Sequence, residues 1–406
     1  MLDTDHTAPD DSSADTSADT SADTSADSPG KSPDSSPASG PGNEHNTALL
    51  NAITRIIPSL LTAMEAFENV QANLDPRRIG GLGSIIAPFE DQLQADLALF
   101  SAVDFPPDIQ PIGDTISQAA TYAWRACNGL SQAGDDFGLV MRALRAHCRA
   151  QEIIYTLAPA MTPVNQYFLE PWARGNGNLL AQLASSDQHR PGGILSAVNE
   201  RSERGGFSLY IPENLPREQP AAVVFALHGG AGHGADFIWS WLREARSRGF
   251  ILVAPTSQND TWSLQGEDRD LPALLAILDY LRKQWLIDSQ HILLAGMSDG
   301  ATYCLQAGLN ANSPFTHLAP FSGVLHPDIV MQGRMQYANA KPIYLVHGSH
   351  DWMFPIEVAQ MARAELEQAN ANLTYREIAG LSHHFARTEL PAVLTWFQPT
   401  LGEPHK

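Results

Sequence analysis

Gly296-Met297-Ser298-Asp299-Gly300 follows the apolar run Ile292-Leu293-Leu294-Ala295 and leads into Ala301-Thr302-Tyr303-Cys304-Leu305-Gln306-Ala307-Gly308-Leu309. The order is a buried strand, a sharp turn and a helix, with Ser298 at the turn. A glycine on either side lets the backbone bend tightly, because side chains there would clash with the neighbouring strand and helix. The serine is left strained, with its hydroxyl pointing away from the sheet edge. The blander reading of Ser298, a helix cap, loses ground once its downstream partners are counted.

Outward from this turn, strands and helices alternate. Ala221–Leu227 is a fully apolar strand, followed by the glycine-rich His228-Gly229-Gly230-Ala231-Gly232-His233-Gly234. A helix over Ala235–Arg248, a strand over Phe250–Pro255 and a helix over Leu271–Trp285 are expected next. After the Ser298 turn come strands at His317–Ser322 and Pro342–His347, a helix over Pro355–Asn370, a strand over Leu373–Ile378 and a closing helix over Pro391–Phe397. Continuous apolar strands separated by helices predict a mostly parallel sheet covered on both faces, an α/β fold. Ahead of it, Ile194–Asn199 and Phe207–Ile211 are expected to form an antiparallel hairpin about the polar turn 200–206.

A serine hydroxyl needs a base to become a nucleophile, most often a histidine held by a carboxylate. In a parallel sheet such groups collect beyond the carboxyl ends of the strands. That places Asp351, in His347-Gly348-Ser349-His350-Asp351, and His383, in Gly380-Leu381-Ser382-His383-His384, beside Ser298 as candidates. Asp328, in the loop after the preceding strand, is the rival acid. Neighbouring side chains in an extended segment point opposite ways, so His383 and His384 are not both expected to face the site. His228, His233, His347 and His350 raise a metal reading. No metal-ligand spacing supports it, and neither a metal nor a cofactor is expected. Trp262 and Trp352, in loops near these strand ends, are candidate substrate-pocket residues.

Leu227-His228-Gly229-Gly230, the Ser298 pentapeptide, His347-Gly-x-x-Asp351-x-x-x-Pro355 and Gly380-x-x-His383 together resemble the α/β-hydrolase superfamily. Within it the chain is most similar to the poly(3-hydroxybutyrate) depolymerase, feruloyl esterase and dienelactone hydrolase-like serine esterases. The resemblance covers about residues 194–400. It implies a carboxylic ester hydrolase with a Ser298–His383–Asp351 triad and an acyl-enzyme intermediate, acting on a small-molecule or oligomeric ester. It also implies an oxyanion hole made by the backbone N–H groups of Asp299 and Gly230, with Ala231 the alternative to Gly230. A serine peptidase or amide hydrolase on the same fold, and an inactive binding module, are the competing readings.

The remainder divides by composition. Residues 1–45 carry ten acidic residues and one lysine, −9 of a formal −20, with Ser-Ala-Asp-Thr repeated from Ser13. Such a segment has little apolar surface to offset its ordering entropy and is expected to be a disordered tail. Residues 46–185 show helical periodicity from Leu49 to Phe67, then near Phe89–Phe100, Thr115–Leu130 and Phe137–Leu157. This is an all-helical domain, with Pro58 expected to kink or break its first helix. Arg142, Arg145 and Arg149 are expected on its solvated side. The hydrolase-like domain is placed at 190–401, after turn-rich breaks at 171–178 and 190–193. Its loop 323–341 is short where relatives often carry a lid, so the helical domain is expected to border the site; a docking or self-association role far from Ser298 is the other reading.

Charged residues are 17% and hydrophobic residues 43% of the 406, as in ordinary globular proteins. The acidic balance argues against nucleic acid as partner. Three cysteines give no disulfide framework. No uninterrupted apolar run approaches membrane-spanning length, and the first residues have no signal-peptide character, so a cytoplasmic location is the expectation.

Overall fold

Fully apolar strands can be buried on both faces only if helices cover both, and the arrangement follows from that need. The computed structural model describes residues 41–75, 81–184, 192–216 and 218–402. The expected tail therefore lies outside the described residues over positions 1–40, as do positions 190 and 191 of the second break. Residues 41–45, assigned above to the tail, belong instead to the first helix. It begins at Pro41, a residue suited to a first helical turn, where no N–H is needed.

The helical half comprises α1 (Pro41–Gln71), α2 (Gly83–Phe100), α3 (Gln110–Ser131), α4 (Phe137–Tyr155), α5 (Thr162–Tyr167) and α6 (Gly177–Ala184). Helix α1 continues through Pro58 rather than breaking there. Pro58 lies on the exposed side, so the Thr54 carbonyl that it leaves without a donor can meet water. By length and composition α1 is the one helix among the described residues able to cross a membrane. Its apolar stripe of Ile56, Leu60, Met64 and Phe67 is buried in the protein core.

The second half follows in the order β1 (Gly193–Ala197), β2 (Phe207–Ile211), β3 (Ala221–Leu227), α7 (Gly234–Phe237), α8 (Leu242–Arg248), β4 (Ile251–Pro255), α9 (Asp270–Gln284), β5 (Ile287–Met297) and α10 (Asp299–Gly308). It ends with β6 (His317–Phe321), α11 (Pro327–Met331), β7 (Pro342–Gly348), α12 (Ile356–Gln368), β8 (Asn372–Ile378) and α13 (Leu390–Phe397). The eight strands form one sheet in the order β1-β2-β4-β3-β5-β6-β7-β8. The first two pairings are antiparallel, as the hairpin pattern predicts, and all others are parallel. The architecture is an α/β-hydrolase fold preceded by helices. Strand order reverses at β3, the switch point where such sheets open a crevice at their carboxyl ends.

The helix expected over 235–248 is broken into α7, a 3-10 turn over Ile238–Ser240, and α8. Residues two apart on an unbroken α-helix face different ways. The break lets both Trp239 and Trp241 be buried. Trp239 meets Tyr155 and Phe168, and Trp241 meets Phe385.

From His45 onward the chain packs as one compact unit. A single apolar cluster runs from Ile56 and Phe67 through Ile154 and Phe168 to Trp241, Leu252 and Phe321. Helix α8 turns all three of its arginines toward the helical half. Arg246 holds Asn165 (2.8 Å) and Arg248 pairs with Glu170. Arg243 clamps Glu68 with two hydrogen bonds (2.5 and 3.0 Å), while the Tyr167 hydroxyl donates to the same carboxylate (2.7 Å). Burial pushes the Glu68 carboxyl up, but Arg243, His147 and Arg387 outweigh it and hold its pKa well below the usual range. Glu68→Ala leaves the Arg243 guanidinium buried beside an aromatic ring with no carboxylate. We expect a loss of about 3–5 kcal/mol in chemical denaturation, and an unchanged midpoint would show that the clamp is not holding the halves together.

Candidate active site

Four loops at the carboxyl ends of β3, β5, β7 and β8 supply the site. At the end of β5, Ser298 has φ 57° and ψ −120°, the strained strand-to-helix turn expected from the sequence. The flanking glycines are required by packing. A Cβ on Gly296 would lie 2.3 Å from the Gly300 carbonyl oxygen, and one on Gly300 would lie 2.5 Å from the carbonyls of Leu227 and His228.

The Ser298 hydroxyl reaches His383 Nε2 at 2.9 Å, and His383 Nδ1 reaches Asp351 Oδ2 at 2.8 Å. Residues separated by 85 and 32 positions are thus joined in one hydrogen-bonded line. The other Asp351 oxygen, Oδ1, accepts the backbone N–H groups of Met353 (2.9 Å) and Phe354 (2.8 Å). Burial raises the Asp351 pKa, but the bonds from His383 and Phe354 N–H, with the charges of His383 and His347, bring it below the ordinary value. The carboxylate is therefore ionised and fixed at neutral pH. His347, fully buried, donates Nε2–H to the Phe354 carbonyl (2.8 Å) and lies 3.4 Å from Asp351 Oδ2. Asp328, the rival acid, sits at the start of α11 beside His326 (3.9 Å) and makes no contact with His383 among the described residues.

Around the glycine-rich loop after β3, the Ala231 N–H donates to the Asp260 carbonyl (2.9 Å) and the Gly232 N–H to the Gly229 carbonyl (3.0 Å). The N–H groups of Gly230 and Asp299 have no partner among the described residues. That leaves the expected pair free to bind an oxygen and commits the alternative, Ala231, elsewhere. The Asp299 side chain accepts the Thr261 hydroxyl (2.6 Å), and its Oδ2 would lie 2.7 Å from a Cβ on Gly230. It therefore buttresses the loop, and a side chain at 230 would have to push the Asp299 carboxylate aside.

The two histidines of the glycine-rich loop are engaged with backbone. His228 Nε2 accepts the Ser257 N–H (3.1 Å), so its Nδ1 carries the proton donated to the Gly229 carbonyl (2.7 Å). His233 Nδ1 caps α7 through the Ala235 N–H. His350 is exposed. His384 lines the cleft together with its neighbour His383, against the expectation for an extended segment, because the chain bends at these two residues.

Ser298 lies in a cleft of about 680 Å³, a size usual for small-molecule sites. Trp352 lines it, with its ring 6.0 Å from that of His383. Trp262, also expected in the pocket, is not among the residues lining this cleft. It is buried, donates its indole N–H to the His228 carbonyl (2.7 Å) and stacks on Tyr303, because the loop after β4 folds beneath the glycine-rich loop. The opposite wall comes from the helical half: Gln71 and Leu74, then Phe137, Met141, Leu144, Arg145 and Cys148 of α4. Arg142 and Arg149 pair with Asp136 and Glu152 as solvated charges, but Arg145 faces the cleft rim.

Burial lowers the pKa of His228 to about 3 and that of His384 to about 4, the latter also repelled by His383. These folded-state values lie below the unfolded value near 6.5. Their contribution to stability is complete above about pH 6.5 and is lost as pH falls toward 4, where the unfolded chain takes up protons first. The depressed carboxylates act only below about pH 4.5. We therefore expect the thermal midpoint to decline already between pH 6.5 and 5; a flat midpoint over that window would contradict neutral buried imidazoles.

Residues 249–401 match the family model of phospholipases and carboxylesterases. A bifunctional acetylxylan esterase/xylanase of Neocallimastix patriciarum is 29% identical over 148 residues, 35% of this chain. The chain spans only 21% of that relative's length. Among solved structures, an acetyl xylan esterase of Aspergillus awamori is 15% identical, with 51% of this chain and 99% of that one aligned at a TM-score of 0.42. A fluorophosphonate-binding serine hydrolase of Staphylococcus aureus is 13% identical, with 53% and 100% aligned at 0.42.

Proposed function

We propose, from an α/β-hydrolase fold whose residues 249–401 match the phospholipase and carboxylesterase family model, that the protein hydrolyses carboxylic esters through an acyl-enzyme. The observation that carries this reading is the line Ser298 Oγ–His383 Nε2–Asp351 at 2.9 and 2.8 Å, on a strained turn that faces an open cleft. As Ser298 attacks the ester carbonyl, His383 takes its proton and Asp351 stabilises the imidazolium. The carbonyl oxygen, now negative, is met by the N–H groups of Gly230 and Asp299. His383 returns the proton to the departing alcohol. A water molecule, deprotonated by the same imidazole, then releases the acid and restores the serine hydroxyl. Each oxyanion donor is worth roughly 3–4 kcal/mol of transition-state stabilisation.

The test is a panel of p-nitrophenyl esters of increasing chain length, with a feruloyl ester, oligomeric hydroxybutyrate and peptide amides alongside, and fluorophosphonate labelling mapped to the modified residue. Ester turnover with label on Ser298 is expected. Efficient amide cleavage would move the protein to the peptidases, and an unlabelled Ser298 with no turnover would leave an inactive hydrolase fold.

A further inference from the structure

Helix α4 carries two apolar stripes, one buried in the core and one that fronts the cleft, with Leu144 and Cys148 of the second also packing against the edge of the core. Val140, Ala143, His147, Ala150 and Ile154 are buried against the other helices and the sheet half. Phe137, Met141, Leu144 and Cys148, at spacings of four, three and four, form a second stripe on the neighbouring face, and all four line the Ser298 cleft. The ends of this stripe are tied to opposite sides of the site. The Phe137 ring lies 6.5 Å from that of Trp352, which in turn faces His383, and the Cys148 thiol contacts the Asp236 carbonyl at 3.6 Å. The stripe thus crosses the cleft over roughly 16 Å, eleven residues at a helical rise of ~1.5 Å. Across from it the sheet half presents Phe237, Met297, Met353 and Phe385, also apolar.

We infer that α4 is a specificity wall and that the substrate is an ester bearing an extended apolar chain, laid between Met141 and Leu144 on one side and Met297 and Phe385 on the other. The inference rests on the ester-hydrolase reading for the reaction but on the cleft's own lining for the chain. A small polar acyl group such as acetyl would leave the wall unoccupied. Each methylene transferred from water to the wall should raise kcat/KM by about three- to fourfold until the cleft is filled.

Two series separate the two halves of the ester: p-nitrophenyl esters from acetyl to decanoyl, and n-alkyl acetates from ethyl to decyl. A rise of at least tenfold with chain length is expected in one of them. Met141→Trp should abolish that rise, read as the ratio of long-chain to short-chain kcat/KM. Leu144→Ala, a milder change in case the tryptophan variant fails to fold, should lower the long-chain gain severalfold. Arg142→Ala, exposed on the same helix and outside the cleft, should change neither. Binding of n-octyl acetate to Ser298→Ala, measured by calorimetry, reads the wall without turnover. Binding there that Met141→Trp weakens supports the wall even if the native protein proves inactive, in which case the catalytic reading alone falls. Flat chain-length profiles in both series, or no octyl acetate binding, would overturn the inference while leaving ester hydrolysis standing.

Discussion

Ser298→Ala is expected to lower kcat by on the order of a millionfold, with KM nearly unchanged and fluorophosphonate labelling abolished, because in the proposed acyl-enzyme route this oxygen forms the acyl bond itself. The size follows from the unit in which Ser298 works. Once its hydroxyl is gone, the base at His383 and the carboxylate at Asp351 have no proton to move, so their contributions disappear with it. What remains is the cleft and the oxyanion donors, enough for a residual ~10³–10⁴-fold over water. Binding is spared because Ser298 is one small side chain among many lining a cleft of about 680 Å³. Folding is spared because, among the described residues, the Ser298 side chain bonds only to His383. The measurement is single-turnover and steady-state hydrolysis of the best p-nitrophenyl ester, with the thermal midpoint as control. A well-folded variant keeping more than a thousandth of the activity would mean that another group is the nucleophile.

The Ser298 turn was legible because its constraint is local. Gly296 and Gly300 must lack side chains for the strand and helix to approach, and that need is written within five residues. The strands were legible for a related reason: runs such as Ala221–Leu227 are buried on both faces, so no residue in them interrupts the apolar pattern. Trp262 shows where such reasoning stops. Its loop was placed at the right strand end, but whether the indole faces the cleft or the core depends on the path of the loop beneath β3, which no local pattern encodes. The clamp of Arg243 on Glu68 joins residues 175 positions apart and reads in sequence as two ordinary surface charges. The wall on α4 left a trace that went unused. Phe137, Met141, Leu144 and Cys148 repeat at helical spacing one step away from the core stripe, which is more apolar surface than one buried face requires.

Asp351→Asn should cost about 10⁴ in kcat, and the hydrogen bonds around the carboxylate explain why so small a change costs so much. Oδ1 accepts two backbone N–H groups, from Met353 and Phe354. An asparagine must place its carbonyl oxygen there, since its NH2 would confront two donors. The NH2 is then forced into the Oδ2 position, facing His383 Nδ1 and lying near the Nε2–H that His347 donates to the Phe354 carbonyl. A donor opposite Nδ1 makes that nitrogen the acceptor and moves the imidazole proton to Nε2. The nitrogen 2.9 Å from the Ser298 hydroxyl would then hold a hydrogen where a base is needed. Geometry is preserved while the tautomer is inverted. Activity should therefore recover in part at high pH, where hydroxide can take the Ser298 proton in place of the imidazole. Asp328→Asn, with its carboxylate beside His326, should change kcat by less than about threefold. The pair is read from pH profiles of kcat for both variants. Loss in Asp328→Asn with retention in Asp351→Asn would reassign the triad acid to the loop after β6.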